Sequence, residues 1–372
     1  MPDGVTLLVF SGGQAHSAVE QMMLRAWRAV TADILAMAQA LGAFDRIILA
    51  TDSPGLADNH RQHGELCVEL TTGRHFHFGG ELLRLVRHHR IERPLYMGGG
   101  TGVLMTPQEL AATPDALSGD GPLVVANNLF SADIVGFSPG VAIERIEPPD
   151  TDNDLAYRLH RGAGLPFVAL PRTAGTLFDV DTPTDLMVLR LQLGRLGEHI
   201  REYVAGLDLD CSRLRAACDV MKDPGAEVLV AGRMGSAVMA RLERDMAARS
   251  RVYSEERGLR ASGREERGEV RSLLGCWVQA NGARSFFETL AGLSQAAFVD
   301  SRVIFDHLGL HLSAADRFNS DLMRAEEVSD PVAREFTAAG REATIPVVLG
   351  GHSLVSGGLW TLLDMFGGKS ER

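Results

Sequence analysis

Lysine is almost absent from this chain. Of 372 residues only Lys222 and Lys369 are lysine, and the first 221 contain none. Any mechanism placed in that half must use arginine, a planar and permanently charged donor, instead of an ammonium group. Cysteine is scarce too. Cys67, Cys211, Cys218 and Cys276 are scattered without a CxxC pair, so neither a zinc site nor a disulfide framework is expected. Excess positive charge is also lacking: the net charge of -11 argues against nucleic acid as a partner, because a phosphate backbone is gripped by clustered cations. No apolar run is long enough to span a bilayer, so no membrane partner is expected. No repeat, heptad or low-complexity tract is visible. The opening "MPDGVTLLVFSGG" has no basic segment and reads as a first strand, which makes a cytoplasmic protein the expectation.

What is present fits a globular protein, 45% hydrophobic and 23% charged, and long enough for two domains. Apolar strand-like runs alternate with amphipathic helical stretches, the pattern of an α/β fold with a mostly parallel sheet between helices. "VTLLVF", "DRIILAT", "LYMGGG", "PLVVANN" and "FVALP" read as the strands of a first domain, residues 1–195. A helical linker follows over 196–224, where "KDPGAE" is a turn-rich break. A second α/β domain with a Rossmann-like start is expected over 225–372, with "EVLVAG", "SRVYSE", "AAFVDSRVIF" and "IPVVLGG" as strands.

Ligands of open α/β sheets bind beyond the carboxyl ends of the strands, and several motifs fall there. Ser11, Gly12 and Gly13 follow the first strand, where glycines let backbone amides approach a phosphate. "GGGTGVLMTPQEL" supplies Gly99, Gly100 and Thr101 after the third, and Asn127 and Asn128 after the fourth offer amides for a base or sugar. "FDVDTPTDL" holds Asp179 and Asp181 two residues apart, on one side of an extended segment and so a candidate Mg2+ site. Asp181 also reads as the N-cap of a helix. "DTDND" (Asp150 to Asp154) reads as an acidic helix start, and "RHFHFGG" puts His75 and His77 on one face.

In their order these pieces resemble the MobA-like nucleotidyltransferases, the group of molybdenum-cofactor and phospholactate guanylyltransferases, over roughly residues 5–190. The resemblance implies a GT-A/Rossmann-like nucleotidyltransferase fold with an NTP over the first glycine loop. It also implies magnesium held by a turn aspartate and by Asp179 or Asp181. An acceptor phosphate or hydroxyl would attack the α-phosphate and pyrophosphate would leave. The turn aspartate of that pattern falls on Thr101, and its Arg–Lys pair is met by His16, Arg25 and Arg28, of which Arg25 is taken for the catalytic role.

In the second half "GRMGSA" gives Gly232, Arg233, Gly235 and Ser236 at a strand–turn–helix junction, with Glu255 and Glu256 a little over twenty residues on. That is the outline of a dinucleotide site short of one glycine. "GGHS" places His352 and Ser353 at another helix start, a second-domain anion site. Three functions stay open: nucleotidyl transfer to a small phosphorylated or hydroxylated acceptor, nucleotide or nucleotide-sugar binding without turnover, and an NAD(P)-dependent enzyme centred on the second domain. In the first, the second domain would bind the acceptor, modify the product or support a homo-oligomer.

Overall fold

The computed structural model describes residues 4–61, 66–71, 76–119, 121–259 and 262–366. It divides into two compact units. Unit 1 comprises residues 1–14, 24–177 and 197–200, and unit 2 comprises 15–23, 178–196 and 201–372. The chain passes between the units at 177/178 and again at 196/197 and 200/201, the last two within the expected linker 196–224. Residues 178–196 belong to unit 2, where Thr184 Oγ1 donates to the Leu349 carbonyl at 2.6 Å and Gln192 Nε2 donates to that of Thr361 at 3.3 Å.

Unit 1 is built on seven strands: β1 (Val5–Phe10), β2 (Arg46–Thr51), β3 (Cys67–Leu70), β4 (Arg93–Gly98), β5 (Leu123–Ala126), β6 (Ile134–Ser138) and β7 (Phe167–Ala169). Their order across the sheet is β3-β2-β1-β4-β6-β5-β7, and only β6 runs antiparallel to its neighbours. Every residue of β1 is buried, as a central parallel strand covered on both faces requires, and its unbroken apolar run is the sequence signature of that position. β3 and β6 are absent from the strands read from sequence. β3 is a short, half-buried edge strand, and β6 is the hairpin partner of β5 across the "NNLFSAD" turn. Phe10, Phe78 and Tyr96 pack edge to face under the carboxyl ends of β1 and β4, with centroids 4.9 to 5.7 Å apart.

Unit 2 carries a parallel sheet of β8 (Glu227–Gly232), β9 (Arg249–Ser254), β10 (Ala296–Asp300) and β11 (Val347–Gly350) in the order β11-β10-β8-β9. "AAFVDSRVIF" is strand only to Asp300; Ser301–His307 is a helix that buries Val303, Ile304 and Phe305. An apolar run of this length satisfies a strand or a buried helix equally, and here it is divided between them. Phe286, Phe287, Phe305 and Phe336 form the aromatic centre of the core. Among the described residues no helix is long and apolar enough to cross a membrane.

Phe336 is almost fully buried against three other rings. Phe336→Ala should cost about 3–5 kcal/mol through lost burial and the cavity left behind. Urea unfolding checks this, and an unchanged midpoint would contradict the placement of the core.

Candidate functional site

In unit 1 the carboxyl ends of β1, β2 and β4 meet. The hydroxyl of Thr31, from the helix Ala18–Leu41, lies 2.9 Å from Ser11 Oγ and 3.1 Å from the Gly99 carbonyl, so it ties the turn after β1 to the turn after β4. The amide of Gly13 donates to Asp52 at 3.0 and 3.2 Å. The loop expected to hold a phosphate thus holds a carboxylate, supplied by the residue just past β2. Arg28 Nη2 donates to Ser53 Oγ at 3.2 Å, and its buried Nε has no partner. Arg25, three residues earlier on the same helix, is exposed. Arg28 is thus anchored just past the end of β2.

The turn after β4 closes through the amide of Thr101, which donates to the Gly98 carbonyl at 3.1 Å, and Thr101 is buried. A carboxylate does stand against this turn, at Gly98. A side-chain carbon on Gly98 would lie 3.1 Å from Thr101 Oγ1 and 3.7 Å from Asp152 Oδ2. The Tyr96 hydroxyl donates to that same oxygen at 2.7 Å. Burial, together with Asp152 and Asp133, pushes the Tyr96 phenol well above its ordinary range, so it stays a donor. The acids of "DTDND" do more than start a helix. Asp150 pairs with His77 at 3.0 Å, Asp152 meets Tyr96 and Asp154 pairs with Arg158. His77 also caps the helix Phe78–His89 by accepting from the Gly80 amide, whereas His75 lies outside the described residues.

Asn127 is spent within the fold. Its Nδ2 donates to the Thr176 carbonyl and its Oδ1 accepts from the amides of Asp133 and Ile134, which holds the β5–β6 hairpin. Both ends of its amide thus have partners within unit 1. Asn128 Oδ1 accepts from the Phe130 amide in a local turn, leaving its Nδ2 available.

Asp179 and Asp181 fall in unit 2. The helix Pro183–Arg190 is capped by Thr182, not Asp181, and the decisive carboxylate is the fully buried Asp185. Asp185 Oδ2 accepts from the Asp181 and Thr182 amides and from the hydroxyls of Thr182 and Ser353, while Oδ1 has no partner. Burial, with Asp181 nearby, raises its pKa to about 7. The order of the second sheet reverses between β8 and β10, the position where open α/β sheets bind ligands. Gly232 is there in a left-handed conformation, φ 130°, with no room for a side chain against Asp300. Arg233 closes on Asp300 through two hydrogen bonds, Nε at 2.6 Å and Nη2 at 3.0 Å. Burial works to raise the Asp300 pKa, but Arg233 prevails and holds it below the ordinary value. A second such pair joins Arg302 to Asp321. His352 follows β11, and burial and then Arg233 push its imidazole down to about 4, so it is neutral at physiological pH. The Gly235–Ser236 helix start has no side-chain cap. Glu255, the acid expected to meet a ribose, accepts from the hydroxyl of Ser272 and the amide of Leu273, so it serves the next helix instead.

No family model matches the chain, and no curated protein matches it. Solved structures do. A cytidylyltransferase from Leptospira borgpetersenii is 13% identical over 55% of this chain and 92% of its own, with a TM-score of 0.40. A nucleotidyl transferase from Methanothermobacter thermautotroptrophicus is 14% identical over 51% and 97%, also at 0.40. A CMP:2-keto-3-deoxy-manno-octonic acid synthetase in complex with CTP is 10% identical over 52% and 99%, at 0.38. Likeness of this degree assigns neither a family nor an activity.

Because the folded pKa of Asp185 is raised, the folded chain keeps a proton that the unfolded chain loses, so this carboxyl costs stability as pH rises from about 4 to 7. Asp185→Asn, which mimics the protonated form, should gain on the native protein between pH 5 and pH 8 in melting temperature. Parallel pH profiles would contradict that assignment. His352 should titrate near pH 4 by NMR, and an ordinary midpoint near 6.5 would refute its burial beside Arg233.

Proposed function

We propose that unit 1 binds a nucleoside triphosphate at the carboxyl ends of β1 and β4. Its activity in this reading is transfer of the nucleoside monophosphate to a small phosphorylated or hydroxylated acceptor. The acceptor oxygen forms the new bond to the α-phosphorus, the bond to the bridging oxygen breaks, and pyrophosphate leaves with the electron pair. The observation that carries the reading is Asp152, whose carboxylate stands against Gly98 at the turn that has no acid of its own, where Tyr96 donates to it. A triphosphate needs nearby positive charge and a magnesium ligand, and Arg28 and Asp152 are the residues available for those roles. Magnesium usually takes only one or two protein carboxylates and completes its shell with water and phosphate, so Asp152 suits it; Asp179 and Asp181, the ligands that the resemblance implies, belong to unit 2. When bound, the ion would neutralise charge on the phosphates. The Gly13 amide would receive a phosphate oxygen in place of Asp52, since both are oxyanions. The solved structures that resemble unit 1 are nucleotidyltransferases by name, which agrees with this reading without carrying it.

A second reading applies to unit 2. The reversal point between β8 and β10, with neutral His352 and the uncapped Gly235–Ser236 turn, supports a small anionic ligand there, while the Ser353 hydroxyl is already given to Asp185. The employment of Glu255 elsewhere weighs against NAD(P).

Asp152→Asn keeps an acceptor for Tyr96 and removes the charge. It should leave the melting temperature of the free protein within a few degrees and abolish magnesium-dependent stabilisation by the preferred NTP, with affinity falling roughly tenfold or more (about 1.4 kcal/mol). Binding without any magnesium effect in the native protein would favour a nucleotide-binding protein without turnover. A shift with NAD(P) alone would overturn the proposal.

A further inference from the structure

Cys67 and Glu69 alternate along β3 and so share a face, and His89 closes the helix Phe78–His89 beside them. One donor atom from each, the thiol sulfur, a carboxylate oxygen and an imidazole nitrogen, all lie within 4.8 Å of one another. This is the one cluster of three such donors among the described residues. Glu69 is 19% exposed and His89 14% exposed, so the group is sheltered but reachable.

We propose that Cys67, Glu69 and His89 bind a thiophilic divalent cation of the zinc type, with water in the fourth position. Sulfur, nitrogen and oxygen donors together are the ligand set of zinc, whereas magnesium and calcium take oxygen alone. Tetrahedral zinc places such donors about 3.3–3.6 Å apart. His89 Nε2 and Glu69 Oε1 are now 2.7 Å apart, a hydrogen bond that opens by less than an ångström when the ion takes the proton's place. Glu69 is already oriented for this. Arg84 Nη2 donates to its other oxygen at 3.1 Å, which leaves Oε1 turned to His89, and Arg84 is itself balanced by Glu81. Carboxylate and thiolate together supply two negative charges for a dication. The Arg–Glu–His chain alone explains Glu69 and His89 but not a thiol at 67, where a small apolar residue would serve an edge strand equally. Sequence gave no hint of the site, because its ligands are split between a strand and a helix twenty residues on.

Titration of the full chain, freed of metal, with Co2+ tests this through the visible spectrum of a tetrahedral cobalt–thiolate site. One equivalent should produce that spectrum, and Zn2+ should displace the cobalt. Cys67→Ser should lose the sulfur-to-cobalt charge-transfer band, and Glu69→Gln or His89→Ala should weaken Zn2+ binding at least tenfold. Cys276→Ser, which alters the exposed thiol, should change nothing. Circular dichroism of each variant confirms folding, and Glu69→Gln keeps a hydrogen-bonding group should Cys67→Ser unfold. A cobalt spectrum without the charge-transfer band, or binding unaltered in these variants, overturns the proposal.

Discussion

The close approach of the turns after β1 and β4 is the constraint on which the unit 1 site depends. A side chain at Gly99 would press within 3.1 Å of the Phe10 carbonyl and Ser11 Oγ, so the two strand ends can meet only through glycine. The buried hydroxyl of Thr31 spans the junction. With the strands held at that spacing, the aromatic group of Phe10, Phe78 and Tyr96 fills the space beneath them. The Tyr96 hydroxyl then donates to Asp152 and fixes its carboxylate at that turn.

Unit 2 solves a different problem with similar means. Its strand ends bury two arginine–aspartate pairs, Arg233–Asp300 and Arg302–Asp321, in which the aspartate side chains are fully buried. Such pairs give little net stability, because desolvation offsets their attraction, but breaking one leaves an uncompensated buried charge. Their value is geometric: each guanidinium is fixed to its aspartate by two hydrogen bonds. Burial holds Asp321 above its ordinary pKa despite Arg302, while Arg233 holds Asp300 below its own. Partners of the same type therefore leave two acids with opposite shifts.

Much of the fold was legible in the sequence. β1, β2 and β8 are continuous apolar runs bounded by turn residues, and the structure keeps them almost residue for residue. β3 and β6 were not legible, since a four-residue edge strand and a five-residue hairpin return are too short to show a period. At the site, the glycine turns were found because glycine and strand ends leave a local signal. Asp52, Asp152 and Asp185 were passed over because their roles arise from partners 39, 56 and 168 residues away in sequence. "TDSPG" and "DTDND" did carry a cue: an acid at the end of a strand or before a helix deserves weighing as a ligand as well as a cap. Asn127 shows the reverse case, a strand-end amide that also braces the hairpin and the Thr176 carbonyl.

The most direct measurement is a crystal structure of the chain with a non-hydrolysable NTP and Mg2+. The account predicts phosphate density at the Gly13 amide with Asp52 displaced from it, and a metal ion coordinated by Asp152. Nucleotide bound elsewhere, with the Asp52–Gly13 contact intact and Asp152 still hydrogen-bonded to Tyr96, would contradict it.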